Sequence, residues 1–541
     1  MVSNGLRRAM PSSGYSDALN GGEMQTLSSY LEGRWVTGEG AARQLHDATT
    51  GEPIASVASG GLDLSAALRH AREVGGPALR AMTFAQRGAM LEALAGVIHA
   101  HRDELLELSA RNGGTTRGDG KFDVDGASGT LSWYAYLGKK LGDARILLDG
   151  EPERVLRSKR FVGQHVYTPR RGVAVHINAF NFPAWGLAEK AAVAWLAGMP
   201  VVAKPGTATA WLTQRIVELW VDAGVLPDGA LSLLMGGAGD LLDHVGPQDC
   251  VAFTGGSETA ARIRSHAAVV AHNVRLNIEA DSLNASVLGP DIEVGSDTWF
   301  MFVNQVVRDL TQKCGQKCTA VRRVMVPTAL VDDVVEALTD RLSGVTVGAP
   351  GDKGVEIGPA ASASQQRAVA SGLEQLAAGC ELVWQGEAPA QGYFVRPSLF
   401  RSDKGLDTPF VHEHEVFGPC ATVLTYDGSA EVATALVAAG GGGLVASVYS
   451  DDPAWGGQVV LGVAPYSGRV HWGSRKVHDQ SPGPGTVLPN LVHGGPGKAG
   501  GGEELGGRRG LHFYMQRTAI QADKGLLDRA FAAAGVLGDE A

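Results

Sequence analysis

From about residue 170 onward, short apolar runs alternate with longer amphipathic ones, and that alternation restricts the chain to few architectures. Residues 172–177 read as a buried strand, 184–196 as a helix, 201–203 as a strand and 211–223 as a helix. Strand signals follow at 230–235 and 250–254, then a helix at 257–268 and a strand at 274–279. Strands that alternate with helices form βαβ units and a parallel sheet. Such a sheet is covered on both faces, which accounts for strands that are short and almost wholly apolar. Residues 64–108 hold two helical stretches that would flank it. A helix at 299–310 and strands at 320–326 and 421–426 point to a second α/β unit. Residues 157–169 read as an extended hairpin, and 481–507, dense in Gly and Pro, as irregular backbone.

Length and charge narrow the function. With 541 residues the chain is too long for one compact core, and roughly two to four domains are expected. The net charge of −10 argues against nucleic acid as the main partner, since phosphate binding needs surplus Lys and Arg. No apolar run reaches the ~18 uncharged residues of a membrane span, so no membrane partner is expected. The five cysteines are too few and too uneven in number for a disulfide framework, and a reducing cytoplasm suits them. Cys314 and Cys318 depart from the C-x-x-C spacing of zinc and redox sites, so no metal is expected. Residues 1–23, rich in Ser, Gly and Asn, read as a disordered extension. Arg7-Arg8 has no apolar stretch after it, and Met24 is a plausible alternative start.

Three residues carry the chemistry. Cys318, in Gly315-Gln316-Lys317-Cys318, is a candidate thiolate nucleophile. Glu279, in Asn277-Ile278-Glu279, is a candidate base for water. Asn181, in Phe180-Asn181-Phe182-Pro183, is a candidate oxyanion donor. A nucleophile, a base and an amide donor suffice to carry a carbonyl to a thioester and then hydrolyse it. Each has a plainer reading: a small buried hydrophobe for Cys318, a strand-end charge for Glu279, a turn residue for Asn181. Ligands bind at the carboxyl ends of strands in open α/β sheets. There Thr254-Gly255-Gly256-Ser257 closes a strand and opens a helix whose N–H groups would face a pyrophosphate. The plainer reading is a glycine turn with a Ser cap. Gly236, in Gly236-Gly237-Ala238-Gly239, follows another strand. Lys204, in Lys204-Pro205-Gly206-Thr207, could reach a ribose or phosphate or simply be a solvated loop lysine.

Taken together these runs resemble the aldehyde dehydrogenase superfamily from about residue 31 to 521. The matching pieces occur in the family's order: Asn181-Phe182-Pro183, Lys204-Pro205, Phe253-Thr254-Gly255, Glu279, Gly315-Gln316-x-Cys318, and Glu415-Val416-Phe417-Gly418-Pro419. The resemblance implies an α/β aldehyde dehydrogenase fold: a Rossmann-like parallel-sheet cofactor domain (24–152 and 170–278), an α/β catalytic domain (279–480), and a small β oligomerisation arm with the C-terminal segment (153–169 and 481–541). It implies Cys318 as nucleophile, Asn181 and the Cys318 N–H as oxyanion donors, and Glu279 as activator of the deacylating water. Phe180, Lys204, Thr207, Gly236, Thr254, Gly255, Gly256, Ser257, Glu415 and Phe417 would contact the cofactor. Glu415 would hold the nicotinamide ribose, with Phe417 beside the ring. A homodimer or dimer of dimers is implied by the arm.

Departures from the family pattern sharpen the expectation. Many NAD-preferring relatives carry Glu where this chain has Thr207, and loss of that carboxylate removes a repulsion against a 2′-phosphate. NADP is therefore expected, with NAD left open. The family's Glu-Leu-Gly-Gly-Lys is here Glu279-Ala280-Asp281-Ser282-Leu283, so the backbone after Glu279 must differ. These features, with the runs from Val477 and His493 to Glu504, are similar to a narrower branch acting on CoA-linked semialdehydes in aerobic benzoate degradation. Some members are fused to a hydratase domain, for which a chain ending at Ala541 has no room. The substrate would be a small aldehyde bearing a CoA thioester, and His478 or the nearby loop would line its channel. A general aldehyde dehydrogenase, a CoA-acylating one that has no need of a water-activating Glu, and a non-catalytic nucleotide-binding protein are the competing readings.

Overall fold

In the computed structural model the described residues are 24–534 and 536–537, so the expected extension at 1–23 lies outside them. Two seven-stranded sheets form the frame. In the first, Arg275–Glu279, Cys250–Thr254, Ala174–Ile177, Val201–Lys204 and Leu231–Leu233 lie side by side in parallel. Ser29–Leu31 and Arg34–Val36 extend that sheet antiparallel at one edge. In the second, Ser398–Ser402, Cys420–Tyr426, Arg323–Pro327, Ala285–Leu288, Gly443–Tyr449 and Ser467–Gly473 run parallel, with Glu381–Gln385 antiparallel at the end. The alternating pattern of the sequence thus yields two doubly covered sheets, as burial of both faces demands.

Helices cover the first sheet. Phe84–Ala100 starts with a reciprocal capping box between Thr83 and Gln86. It packs with Arg117–Leu141 and Trp185–Ala197 around a core that includes Trp195, Trp211 and Trp220. Trp185–Ala197 is almost entirely buried, and its run of alanines suits a helix with no solvent face. Among the described residues no helix is long and apolar enough to cross a membrane.

Some local expectations give way to tertiary context. The single helix expected at 257–268 is two, Ser257–Arg264 and Ala267–Ala271. His266 is extended between them, and the Ser265 hydroxyl donates back to the Ala261 carbonyl at 2.9 Å, competing with the helical ladder. The expected hairpin at 157–169 includes only the second strand and the turn. Its partner is Ile146–Arg154, whose acidic, Gly- and Pro-containing run hides the strand signal and whose register shifts between Asp149 and Glu153. Met515–Asp523 then pairs along the whole of Phe161–Pro169, and Val536–Leu537 adds a parallel edge. Within 481–507 two short strands, Val492–Gly494 and Glu503–Leu505, pair antiparallel.

The turn that carries Cys318 follows the helix Asp297–Thr311. Lys313, Cys314 and Gly315 take φ of 55°, 55° and 64°, three successive left-handed residues. Two have side chains, so the turn is strained and must be held by its surroundings. At Gly315 a Cβ would lie 2.2 Å from the Gly418 carbonyl oxygen. Gly315→Ala is therefore expected to destabilise the fold by at least about 1–3 kcal/mol. A lowered apparent melting temperature would register this, and an unchanged one would show that the turn relaxes freely.

Candidate active site

The parallel register brings four strand ends to one rim. Thr254 is level with Glu279, Phe253 with Ile177, and Ile177 with Lys204. The chain leaving Ile177 reaches Asn178 and Asn181 beside Thr254 and Glu279, and the turn leading into strand Arg323–Pro327 of the second sheet supplies Cys318. Cys318, Glu279, Asn181 and Thr254 line one pocket with Glu189, Lys190 and His493. The widely spaced residues singled out from sequence as the chemical set therefore share one cavity.

Cys318 is positioned by its backbone. The Asn284 side-chain amide donates to the Cys318 carbonyl at 2.7 Å and the Ala320 carbonyl at 2.9 Å. Arg322, 5% exposed, donates to the carbonyls of Gly315 at 2.9 Å and Gly418 at 2.9 Å. It also pairs with Glu415 at 3.2 Å. One buried guanidinium thus links the Cys318 turn to the Glu415–Pro419 motif. Burial, and next the Glu279 carboxylate, push the Cys318 thiol well above its ordinary range. The resting sulfur is consequently a thiol, and a base must take its proton. The Asn181 amide donates to the carbonyl of Gln316, two residues before Cys318, at 3.1 Å.

Glu279 is only 3% exposed. Burial, the largest single influence, would raise its carboxyl, as a base for neutral pH requires, but His493, Lys190 and the Cys318 thiol together outweigh burial and hold it well below the usual carboxylate range. His493, 4% exposed, places Nε2 3.1 Å from Glu279 Oε2 and 3.9 Å from Cys318 Sγ. Desolvation would lower the imidazole, and Glu279 reverses that and raises it. Behind Glu279, the buried Lys190 ammonium pairs with Glu189 and Glu504 at 3.0 Å each. Burial pushes Glu504 up to about 7.

Of His478 and the nearby loop, expected to line the substrate channel, only the loop reaches the Cys318 pocket. His478 is exposed, its Nδ1 turned to the Arg475 carbonyl at 2.8 Å, and it does not line the pocket. The turn that carries it faces solvent, and Gly485, Val487 and His493 form the pocket wall instead. Sequence reasoning assigned no role to His493, Lys190, Glu189, Glu504 or Arg322. A signal existed for two of them, since His493 and Glu504 bound the Gly-rich run that distinguishes the narrower branch.

A nicotinamide cofactor fits the rim at its adenosine end. Lys204 is largely buried, with the Pro205 carbonyl at 2.9 Å as its hydrogen-bond acceptor, and burial lowers its pKa to about 8. Such a cation gains from an incoming phosphate. Thr207 donates to the Gly236 carbonyl at 3.2 Å, which places both beside Lys204. Gly206 packs against the Phe180 backbone so closely that a Cβ would lie 2.6 Å from Phe180 N. The Phe180 ring meets Phe417 edge-on at 6.0 Å. Burial raises the Glu415 carboxyl to about 7, and its other oxygen accepts from the Ser282 N–H at 3.0 Å. The helix start at Gly255, Gly256 and Ser257 fits less well: the Ser257 N–H already donates to the Asp281 carboxylate at 3.2 Å, where a pyrophosphate would compete. Thr254 Oγ1 is buried without a hydrogen-bond partner and faces the pocket.

Comparison with known proteins agrees with this geometry. The chain is 47% identical over 478 residues to 3,4-dehydroadipyl-CoA semialdehyde dehydrogenase of Aromatoleum evansii, covering 87% of this chain and 93% of that protein. It is 28% identical to betaine aldehyde dehydrogenase of Bacillus subtilis, over 91% and 96% of the two chains. In three dimensions it is similar to the NAD+ complex of an aldehyde dehydrogenase from Bacillus cereus, with TM-score 0.80, 24% identity and coverage of 95% and 99%. Residues 35–520 match the aldehyde dehydrogenase family, and the chain belongs to that family.

Proposed function

We propose that this protein oxidises 3,4-dehydroadipyl-CoA semialdehyde to its acid, with NADP as acceptor, through a thioester on Cys318. The observation that carries the reaction is the meeting of Cys318, Glu279 and Asn181 in one pocket at the strand ends. The 47% identity to an enzyme named for this substrate supports the aldehyde. The five cysteines are free thiols, which supports a cytoplasmic setting. The four-stranded arm leaves Leu156 and Phe161 exposed, which supports pairing of two copies there.

The residues act in order. Glu279 takes the Cys318 proton, and Sγ attacks the aldehyde carbon. Asn181 Nδ2 leaves the Gln316 carbonyl and, with the Cys318 N–H, receives the oxyanion. Loss of one such donor typically costs about 2.7–4 kcal/mol of barrier. As the oxyanion collapses to the thioester the carbon loses hydride, which a nicotinamide bound here would accept; Lys204 and Thr207 would hold that cofactor at one end and Glu415 and Phe417 at the other. Glu279 releases that proton to solvent, then takes a proton from the water that attacks the thioester carbon, and Sγ leaves as a thiolate that regains a proton. Its basicity depends on His493: a neutral imidazole removes the pull that keeps the carboxyl low, and burial then raises it.

Cys318→Ala is expected to abolish NADPH production, and Glu279→Gln to give a stoichiometric NADPH burst followed by slow turnover. An unchanged steady-state rate in the second variant would exclude Glu279 as the deacylating base. Thr207→Glu sets a carboxylate beside the 2′-phosphate and is expected to weaken NADP use relative to NAD by at least about 10-fold, roughly 1.4 kcal/mol. Lys204 is protonated below about pH 8, so the wild-type NADP preference is expected to fall as pH rises through that value. A flat NADP/NAD ratio of kcat/KM would show that Lys204 does not read the phosphate. For the substrate, kcat/KM with the CoA-linked semialdehyde is expected to exceed that with hexanal by orders of magnitude, and equal use of hexanal would overturn the assignment.

A further inference from the structure

Cys318 Sγ, His493 Nε2 and a Glu279 carboxylate oxygen all lie within 4.8 Å of one another. The same imidazole nitrogen faces both neighbours, at 3.1 Å from the carboxylate and 3.9 Å from the sulfur. A carboxylate–imidazole–thiol proton relay uses both ring nitrogens, one toward each partner. Here three donor atoms of three types converge on one point instead. Glu279 Oε2 is buried and accepts no well-directed hydrogen bond even at that distance. The fourth side of the cluster opens on the pocket lined by Asn181 and Thr254.

We propose that this cluster is a binding site for a borderline-soft divalent cation of the zinc class, with Cys318, His493 and Glu279 as ligands and the pocket side open. Thiolate, imidazole and carboxylate are the ligand types zinc takes, three from protein with one position free. Hard cations such as Mg²⁺ avoid a sulfur ligand.

Counted from a carboxylate, an imidazolium and a neutral thiol, the exchange balances. On binding, the thiol and the imidazolium each release a proton to solvent, and bonds form from S⁻, N and O⁻ to the ion. No oxidation occurs, and the summed charge of the buried cluster is the same before and after, so no uncompensated charge is left out of water. Lys190 remains balanced by Glu189 and Glu504. The consequence is a reversible off-state: a metal-bound Sγ cannot attack an aldehyde, and it is shielded from alkylation and oxidation.

The test uses the full chain and the metals alone. Zn²⁺ is titrated against a competing chromogenic chelator, and Co²⁺ reports thiolate ligation through its near-ultraviolet charge-transfer band. The wild type is expected to take up one ion per chain and to show the band, with no response to Mg²⁺. Cys318→Ala should lose the band, and His493→Gln should bind more than about 10-fold more weakly, since even outer-shell changes cost that much. Circular dichroism checks that each variant folds. Should either fail, wild type alkylated with iodoacetamide should lose the band, and Zn²⁺ should protect Cys318 from alkylation until EDTA is added. Undiminished Zn²⁺ affinity in Cys318→Ala, or binding without a charge-transfer band, would overturn the proposal. Neither result depends on which aldehyde the enzyme oxidises.

Discussion

A carboxylate buried at the bottom of a pocket constrains everything around it. Glu279 at 3% exposure would be forced neutral by desolvation unless a cation stood close. Two groups answer that need. His493 is in contact with it, and Lys190 lies behind, itself balanced by Glu189 and Glu504. The result is an alternating set of charges in which no member can be removed without leaving another uncompensated. Such a network lowers the Glu279 carboxyl while raising the Cys318 thiol.

The second constraint is mechanical. The strained turn before Cys318 has no regular secondary structure of its own to hold it, and its left-handed residues would relax in isolation. Arg322 and Asn284 fix it by taking the carbonyls that the turn leaves unpaired. The guanidinium also grips Glu415 and the Gly418 carbonyl. Asn181 is tied to the same turn through Gln316. The placement of Cys318, Asn181 and the Glu415 carboxyl thus shares one set of hydrogen bonds, as a preorganised site requires.

How much of this was legible in the sequence depended on distance along the chain. The strand expected at 250–254 has those bounds, and the helix expected at 184–196 is displaced by one residue. Both are encoded in local apolar period. The break at Ser265 was not legible, because a hydroxyl competing for a helical carbonyl leaves the apolar pattern intact. Nor was the first strand of the arm, where Asp149, Gly150 and Pro152 mask a strand that only its neighbours sustain. At the site, the motif residues were identifiable by type, yet His493 was passed over for His478. The two are fifteen residues apart (493 − 478) in a Gly- and Pro-rich segment, and only the fold distinguishes the exposed one from the buried one. The charge state of Glu279 was not legible for the same reason: its counter-charge at His493 comes from a remote part of the chain.

The segment after Glu279 shows what a departure from a family pattern can mean physically. Asp281 caps the helix that begins at Ser257. The Ser282 N–H holds Glu415, and its hydroxyl donates to Asn284 at 2.7 Å and accepts from the Leu444 N–H at 2.9 Å. Asn284 in turn orients Cys318. A glycine pair at Asp281 and Ser282 could offer the backbone contact but neither side-chain link. The polar residues therefore make the crossing from the first sheet to the second into a structural joint, running from the helix cap through Glu415 to the nucleophile. The same Asp281 sets a negative charge where a pyrophosphate would meet the helix dipole. Cofactor affinity must then draw more heavily on the buried cation at Lys204.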